Sequence, residues 1–156
     1  MGKLIVEADG GSRGNPGPAG YGALVRDAAS GEVVAERAGY LGIATNNVAE
    51  YRGLIAGLRA AREYDPNASI EVRLDSKLLV EQMMGRWKIK HPDMRTLALT
   101  AREVARGASV TFEWRPRRDN SDADALANEA MDTESFSIRR GHGADGADPE
   151  DALGLF

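Results

Sequence analysis

The 156-residue chain has the length of one ordinary domain, which buries enough surface to fold without covalent cross-links. It contains no cysteine, and this excludes disulfides and cysteine-based zinc sites. There is no signal peptide and no apolar stretch long enough to cross a membrane, so the sequence predicts a soluble cytoplasmic protein. The net charge of −4 argues at first against a nucleic-acid ligand.

That negative charge is concentrated at the C-terminal end of the chain. From residue 132 onward, six acidic side chains stand against two basic ones: Asp132, Glu134, Asp145, Asp148, Glu150 and Asp151 against Arg139 and Arg140. Residues 1–131 are therefore neutral, with 18 basic and 18 acidic side chains. If four acids of this part bind two divalent cations, the remaining surface is net positive, and a nucleic-acid substrate is not excluded.

Three strands and a helix are predicted in the first part of the chain. Hydrophobic alternation places the strands at residues 3–9, 21–26 and 33–41. The Gly- and Pro-rich segment 10–18 is predicted to be a loop. A helix follows, because Val48, Tyr51, Ile55 and Leu58 recur at helical spacing, and Asp-Pro-Asn at 65–67 ends it.

Helices and strands alternate in the remainder. The predicted elements are a strand at 70–75, a helix at 76–84, a basic loop at 86–92, a helix at 94–106, a strand at 110–114, a loop at 115–120 and a helix at 121–131. The order β-β-β-α-β-α-α-β-α predicts one α/β domain with a mixed sheet over residues 1–134. Residues 135–156 lack periodicity and become rich in Gly, Asp and Ala, which predicts a flexible tail or linker.

The topology already indicates where a site would lie. Two hairpins make strand three parallel to strand one, and a helical crossover then brings in strand four. If strand four lies beside strand one, the connection crosses the sheet and creates a switch point, where open α/β sheets bind ligands at the carboxyl ends of strands. Asp9 and Asp75 lie at those two carboxyl ends and would repel each other unless a cation lay between them.

Each candidate acid also has an ordinary structural explanation. Asp9 precedes glycine as turn residues often do, and Glu50 fits the reach-back position of a capping box. Asp75 or its neighbour suits an N-cap, and Asp122 and Asp124 suit the first turn of a helix. Taken together, however, these acids all lie at element ends. Four carboxylates in one place suit Mg²⁺ or Mn²⁺, and two such ions can promote phosphodiester hydrolysis.

Four segments in order resemble the motifs of the type 1 ribonuclease H family. They are DGGSRGNPGPAGYG at 9–22, TNNVAEY at 45–51, DS at 75–76 and NSDADALA at 120–127. Each is weak alone, but four at compatible spacing are specific, and the resemblance covers roughly residues 3–131. It implies a ribonuclease H-like fold, with a five-stranded mixed sheet in the order 3-2-1-4-5 flanked by helices. It also implies hydrolysis of the RNA strand of RNA/DNA hybrids, leaving 5′-phosphate ends.

The same resemblance implies a role for particular side chains. Asp9, Glu50, Asp75 and Asp124 match the acids that hold two Mg²⁺ or Mn²⁺ ions, whereas Asp122 matches no ligand position. Polar residues of the first two motifs match contacts to the minor groove of the hybrid and to a DNA phosphate: Ser12, Asn15 and Asn46 for the groove, Thr45 for the phosphate. The remaining candidates for substrate contact are Ser76, Lys77, Trp87, Lys88 and Asn120. Contact with the 2′-hydroxyl distinguishes RNA from DNA.

Two departures from the family pattern stand out. The loop at 115–120 has no His and resembles a branch with Pro-Arg there, which makes Arg117 the candidate substitute. Arg cannot act as a general base, but it could offset phosphate charge or help to expel a product; a solvated basic loop is the alternative. A long basic insertion near residue 85 is missing, and Trp87 is either part of a short basic-aromatic patch with its Lys and Arg neighbours or a core residue.

Two other functions remain open at this point. A DNA-cutting nuclease of the resolvase or transposase kind would share the fold, because a fold alone does not determine the substrate. A module that binds hybrids without cutting would be expected to have lost an acid. The sequence further predicts a monomer, and a C-terminal linker of this composition raises the question of a second domain, as in some bacterial relatives.

Overall fold

A computed structural model describes residues 2–140. Six strands form one sheet: β1 Lys3–Ser12, β2 Gly17–Asp27, β3 Val33–Ala44, β4 Ser69–Leu74, β5 Val110–Trp114 and β6 Ser137–Arg140. Their order is β5-β4-β1-β2-β3-β6. β1 is antiparallel to β2 and parallel to β4, and β4 is parallel to β5. The predicted order of five strands is confirmed, and β6 extends the sheet beyond β3.

Four helices accompany the sheet: α1 Asn46–Tyr64, α2 Lys77–Met83, α3 Pro92–Ala105 and α4 Ser121–Thr133. A short 3-10 turn at Arg117–Asn120 leads into α4. α1 packs on the central strands β1 and β2, and α3 packs on α1, whereas α4 packs on β2 and β3. None of the helices within residues 2–140 is long and apolar enough to span a membrane.

The N-caps of α1 and α2 are residues other than Glu50 and Asp75. Thr45 is the N-cap of α1, and its hydroxyl accepts a hydrogen bond from the Val48 amide at 3.2 Å. The reach-back position of a capping box is therefore Val48 and not Glu50, so the capping-box interpretation of Glu50 is wrong. Ser76 is the N-cap of α2, which leaves the Asp75 carboxylate free of a capping role.

Two glycines allow α1 to lie very close to β1. A Cβ at Gly53 would lie 2.6 Å from the carbonyl oxygen of Asp9, and one at Gly10 would lie 2.2 Å from the carbonyl carbon of Ala49. Only the missing side chains permit this approach. The contact brings the N-terminal half of α1, and with it Glu50, next to the strand that carries Asp9.

The structure corrects two parts of the predicted organisation. The segment 10–18 is not one loop, since β1 continues to Ser12 and β2 begins at Gly17, with Ser12 paired to Ala19. Gly10 and Gly17 are packed against the protein itself, since a Cβ on either would lie 2.2 Å from a backbone atom. Residues 137–140 belong to the sheet, because Ser137 pairs with Ala38 in an antiparallel ladder. The predicted domain boundary at 134 thus lies before the last strand, and residues 141–156 of the predicted tail lie outside the described residues.

Replacement of Gly53 by Ala should lower the free energy of unfolding by about 1–3 kcal/mol, despite the better helix propensity of Ala. The reason is the 2.6 Å approach of the new Cβ to the Asp9 carbonyl. Urea denaturation of wild type and Gly53→Ala measures the difference. Gly2→Ala is the matched control, because the nearest atom to its Cβ lies at 3.9 Å. A Gly53→Ala protein as stable as wild type would contradict the close approach.

Candidate active site

The four candidate acids line one cleft. Asp9 comes from β1, Glu50 from α1, Asp75 from the residue after β4, and Asp124 from the first turn of α4. Ala8 pairs with Leu74 in the parallel ladder, so the following residues, Asp9 and Asp75, leave neighbouring strands at the same edge. The cleft measures about 270 Å³ and is also lined by Gly10, Gly11, Ser12, Arg13, Asn46, Arg117, Ala127, Asn128 and Met131. The sheet topology therefore brings together acids that lie far apart in sequence.

Partial burial and neighbouring negative charge raise the pKa of three of these carboxyl groups, those of Asp9, Glu50 and Asp75. Burial, then the charge of Asp75, and then a hydrogen bond and charge from Asp124 raise the pKa of Asp9 from its ordinary 3.8 to about 8. Burial also raises the pKa of Glu50 to about 7, with a further contribution from Asp75. The pKa of Asp75 is likewise raised, first by burial. A cation in the cleft would offset this mutual repulsion.

Two carboxylate oxygens of the cleft have no hydrogen-bond partner within residues 2–140. Glu50 Oε2 and Asp75 Oδ2 are buried without a hydrogen bond. A buried charged oxygen in that state is costly, and a cation would satisfy it. The donor set is made of oxygen atoms alone, which suits hard divalent cations. The residues present therefore fit a divalent metal ion.

Within residues 2–140, no group of three or more Asp, Glu, His or Cys side chains forms a ready-made cage for an ion. This agrees with the usual behaviour of Mg²⁺, which keeps several waters and takes one or two carboxylates together with substrate phosphate oxygens.

Two predicted substrate contacts face the acids instead. Asn120 is only 1% exposed, and its side-chain amide donates to the Ala8 carbonyl at 2.9 Å. A hydrogen bond from Asn120 also lowers the pKa of Asp75. Ser76 caps α2 and forms a hydrogen bond with Glu50 that lowers the pKa of that carboxyl. Both side chains hydrogen-bond to carboxylates of the cleft from within the protein. Asn120 is buried, and its contact with a substrate stays a prediction.

Four other predicted contacts form one ridge at the edge of the cleft, which we call the hairpin ridge: Ser12, Asn15, Thr45 and Asn46. The Asn46 side-chain oxygen accepts hydrogen bonds from the Ser12 amide at 2.7 Å and from its hydroxyl at 3.1 Å. The Asn15 side-chain oxygen accepts from the Asn46 amide at 3.1 Å. These bonds tie the β1–β2 hairpin to the start of α1. Ser12 and Asn46 line the cleft itself, and Asn15 and Thr45 are exposed beside it.

Arg117 lies at the mouth of the same cleft. Its side chain is exposed, and its positive charge lowers the pKa of both Glu50 and Asp75. The guanidinium is therefore near enough to act on charge in the cleft. Because the side chain is exposed to solvent, a solvated basic loop remains the alternative interpretation.

The remaining basic and aromatic candidates lie outside the cleft. Trp87 is 46% exposed and lines a separate groove with Arg95 and Leu99, so the interpretation of Trp87 as a core residue is wrong. Lys77 is exposed and lines another groove with Trp114. Lys88 is also exposed, and only its backbone carbonyl, which accepts from Gln82, has a described hydrogen bond.

Part of the expected positive charge of the patch at 86–90 is already neutralised. Arg86 forms an ion pair with Glu81, with nitrogen–oxygen distances of 2.5 and 2.9 Å. Lys88 and Lys90 are exposed cations of the same segment. The patch thus offers less charge to a nucleic acid than its sequence suggests.

Two residues of the cleft are missed by the sequence analysis. Arg13 lies at the hairpin tip, and Asn128 donates a hydrogen bond to Asp124 from one helical turn further along α4. The spacing of four residues in a helix was a usable signal for the second. Asp122, which matches no ligand position, forms an ion pair with Arg26 at 2.5 Å and lies outside the cleft.

A family model described as reverse transcriptase-like matches residues 7–130, more than half of the chain. The chain belongs to the ribonuclease H-like family. Among curated members, a ribonuclease H of Hydrogenovibrio crunogenus is 33% identical over 150 residues, which cover 85% of this chain and 97% of that protein. The family membership agrees with the order of the four motifs.

Solved ribonuclease H structures share the fold. The N-terminal ribonuclease H domain of a Mycobacterium tuberculosis protein is 54% identical, with a TM-score of 0.82 over 85% of this chain and 96% of that one. A ribonuclease H1 isolated from compost, solved in complex with an RNA/DNA hybrid, is 37% identical, with a TM-score of 0.79 over 84% and 98%. The chain spans only 37% of the full bifunctional M. tuberculosis protein. The predicted ribonuclease H-like fold is confirmed.

Replacement of Asp9 by Asn should stabilise the metal-free protein at pH 8 by about 1 kcal/mol or more. The pKa of Asp9 is higher in the folded protein than in the unfolded chain. The contribution of Asp9 to folding stability is therefore fully present below pH 3.8 and is lost as the pH rises toward 8. Thermal unfolding in a chelator should therefore show a gain for Asp9→Asn that shrinks toward pH 4.

The exposed Asp93→Asn variant is the control and should show no such gain at pH 8. A wild-type protein as stable as Asp9→Asn at pH 8 would contradict the charge repulsion in the cleft.

Proposed function

We propose that the chain is an endoribonuclease that hydrolyses the RNA strand of RNA/DNA hybrids and leaves 5′-phosphate ends. The observation that carries the proposal is the convergence of four half-buried carboxylates, two of them with a buried oxygen that has no hydrogen-bond partner within residues 2–140, at the switch point of a ribonuclease H-like sheet. The compost ribonuclease H1 that was solved with a hybrid supports the choice of substrate. All four acids come from one chain, so a monomer would suffice.

We propose Asp9, Glu50, Asp75 and Asp124 as the ligands of two Mg²⁺ or Mn²⁺ ions. Bound there, the ions would activate the attacking water and stabilise the leaving oxygen of the phosphodiester. The contribution of the protein is to hold the carboxylates together and fixed in place, and bound cations would favour their ionised forms. Hydrogen bonds from Ser76 to Glu50 and from Asn120 to Asp75 also favour the charged forms and partly oppose the burial that raises both pKa values.

Selection of a hybrid requires contact with both strands. The hairpin ridge offers hydroxyl and amide groups next to the acids, and such groups can read the 2′-hydroxyls of the RNA strand. Lys77, Trp87 and Lys88 are exposed on neighbouring grooves and suit the DNA strand through charge and stacking. The ridge is the feature that favours this function over cleavage of duplex DNA.

Arg117 is proposed to offset negative charge on the substrate. A guanidinium stays protonated at any working pH, so it is not the general base. Its position in the lining of the cleft, and the lowering effect of its charge on the pKa of Glu50 and Asp75, support this role. An exposed side chain at the mouth can contact a phosphate before and after the bond is cut.

The decisive test is cleavage of a labelled RNA/DNA hybrid in Mg²⁺ or Mn²⁺, beside duplex DNA, duplex RNA and single-stranded RNA. Wild type should cut only the RNA strand of the hybrid. Asp75→Asn should lose at least about 100-fold in rate, more than the loss of a group that only hydrogen-bonds to a metal ligand usually costs. Asp93→Asn, exposed on α3, should keep wild-type activity.

The alternative functions predict different outcomes in the same assay. Cleavage of duplex DNA at a rate matching the hybrid would favour a DNA-cutting nuclease. Tight binding of the hybrid without turnover in either metal would favour a binding module. An intact hybrid under all conditions would overturn the proposed activity.

Replacement of Arg117 by Ala should lower kcat for the hybrid by about 10- to 100-fold, the equivalent of losing one charged hydrogen bond. Arg117→Lys should retain part of the activity, because Lys keeps the positive charge but lacks the planar guanidinium group that can form two parallel hydrogen bonds with a phosphate. Arg118, its exposed neighbour, provides the matched control Arg118→Ala. Equal losses for Arg117→Ala and Arg118→Ala would support the solvated-loop alternative.

A further inference from the structure

Asn128 makes a contact with the candidate metal ligand Asp124 that the family motifs do not contain. It lies one turn beyond Asp124 on α4, and its side-chain amide donates to the Asp124 carbonyl at 3.1 Å and to Asp124 Oδ2 at 3.3 Å. The side chain is half-buried and lines the cleft. One amide group thus holds both the backbone and the carboxylate of Asp124.

The side-chain oxygen of Asn128 lies near a second polar side chain, that of Arg13. Arg13, at the tip of the β1–β2 hairpin, forms an ion pair with Asp132 at 2.7 Å. The same guanidinium nitrogen lies 3.5 Å from the Asn128 side-chain oxygen. A donor on this side favours the amide orientation in which the nitrogen points toward Asp124. Asn128 is therefore held between the hairpin and the acid.

Helix propensity does not explain an Asn at this position. In a helix interior Asn is less favourable than Ala by several tenths of a kcal/mol, because its side chain competes for backbone hydrogen bonds. The two hydrogen bonds from Asn128 to Asp124 offset this lower helix propensity. Asp124 lines the same cleft as Asp9, and its charge raises the pKa of that carboxyl, so Asp124 has Asn128 and Asp9 as polar neighbours.

We propose that Asn128 is a positioning residue for metal binding, which holds one oxygen of Asp124 so that the carboxylate remains turned toward Asp9. This inference rests on the proposed function only in naming Asp124 as a metal ligand. Groups that hydrogen-bond to ligating carboxylates orient them, and their loss usually costs about 10- to 100-fold in metal affinity or activity.

The experiment measures Mn²⁺ binding to metal-free protein by isothermal titration calorimetry, with no nucleic acid present. Asn128→Ala should weaken Mn²⁺ binding by about 10- to 100-fold. Asn128→Gln keeps the amide donor and should recover most of the affinity. Asn67→Ala is the matched control in the exposed turn after α1 and should bind as wild type does.

Measurements of thermal stability and of hybrid cleavage distinguish a positioning role of Asn128 from a general effect on the folded structure. Asn128→Ala should not unfold at a lower temperature, since Ala is the better helix former. In the cleavage assay the Mn²⁺ concentration for half-maximal rate should rise, while KM for the hybrid stays unchanged.

Mn²⁺ binding by Asn128→Ala within twofold of wild type would overturn the inference, as would equal losses in Asn128→Ala and Asn128→Gln. Failure of wild type to cut any hybrid would overturn the proposed function, whereas the calorimetric comparison would still decide the role of Asn128.

Discussion

The gathering of four half-buried carboxylates in one cleft is the constraint on which this structure depends. Asp9 and Asp75 leave neighbouring parallel strands at the same edge, and partial burial there raises the pKa of each carboxyl. The rest of the fold must supply the stability that this arrangement consumes. A strained, charged site on a rigid sheet is a common compromise between stability and function.

The support for the acids is built from small and polar residues close to the sheet. Glycines at 10 and 53 let α1 approach β1, which sets the position of Glu50 relative to Asp9. Ser76 and Asn120 hydrogen-bond to carboxylates from within the protein. Such residues occur in the family motifs beside the acids, and from sequence alone they are indistinguishable from residues that contact a substrate.

Recognition of nucleic acid would be divided between two surfaces of different character. The hairpin ridge is polar, internally hydrogen-bonded and adjacent to the acids. The surface around Trp87 is aromatic and basic, with Arg86 already paired to Glu81. Because residues 1–131 are neutral overall, bound divalent cations would supply much of the positive charge that an anionic substrate requires.

Local pattern was sufficient for much of this protein. Hydrophobic periodicity located the first five strands and the helices, including Val110–Trp114, and the order of motifs identified the family, because both signals lie within short stretches of sequence. Only the tertiary structure decided whether a polar or aromatic residue faces solvent or protein: Trp87 is exposed and Asn120 is buried, although both were candidates for substrate contact. The strand at 137–140 likewise forms because it pairs with β3. This contact is long-range, so local hydrophobic periodicity does not predict it. Sequence therefore determined the elements and the acids, whereas packing between distant segments determined which side chains support those acids and which remain free to meet a ligand.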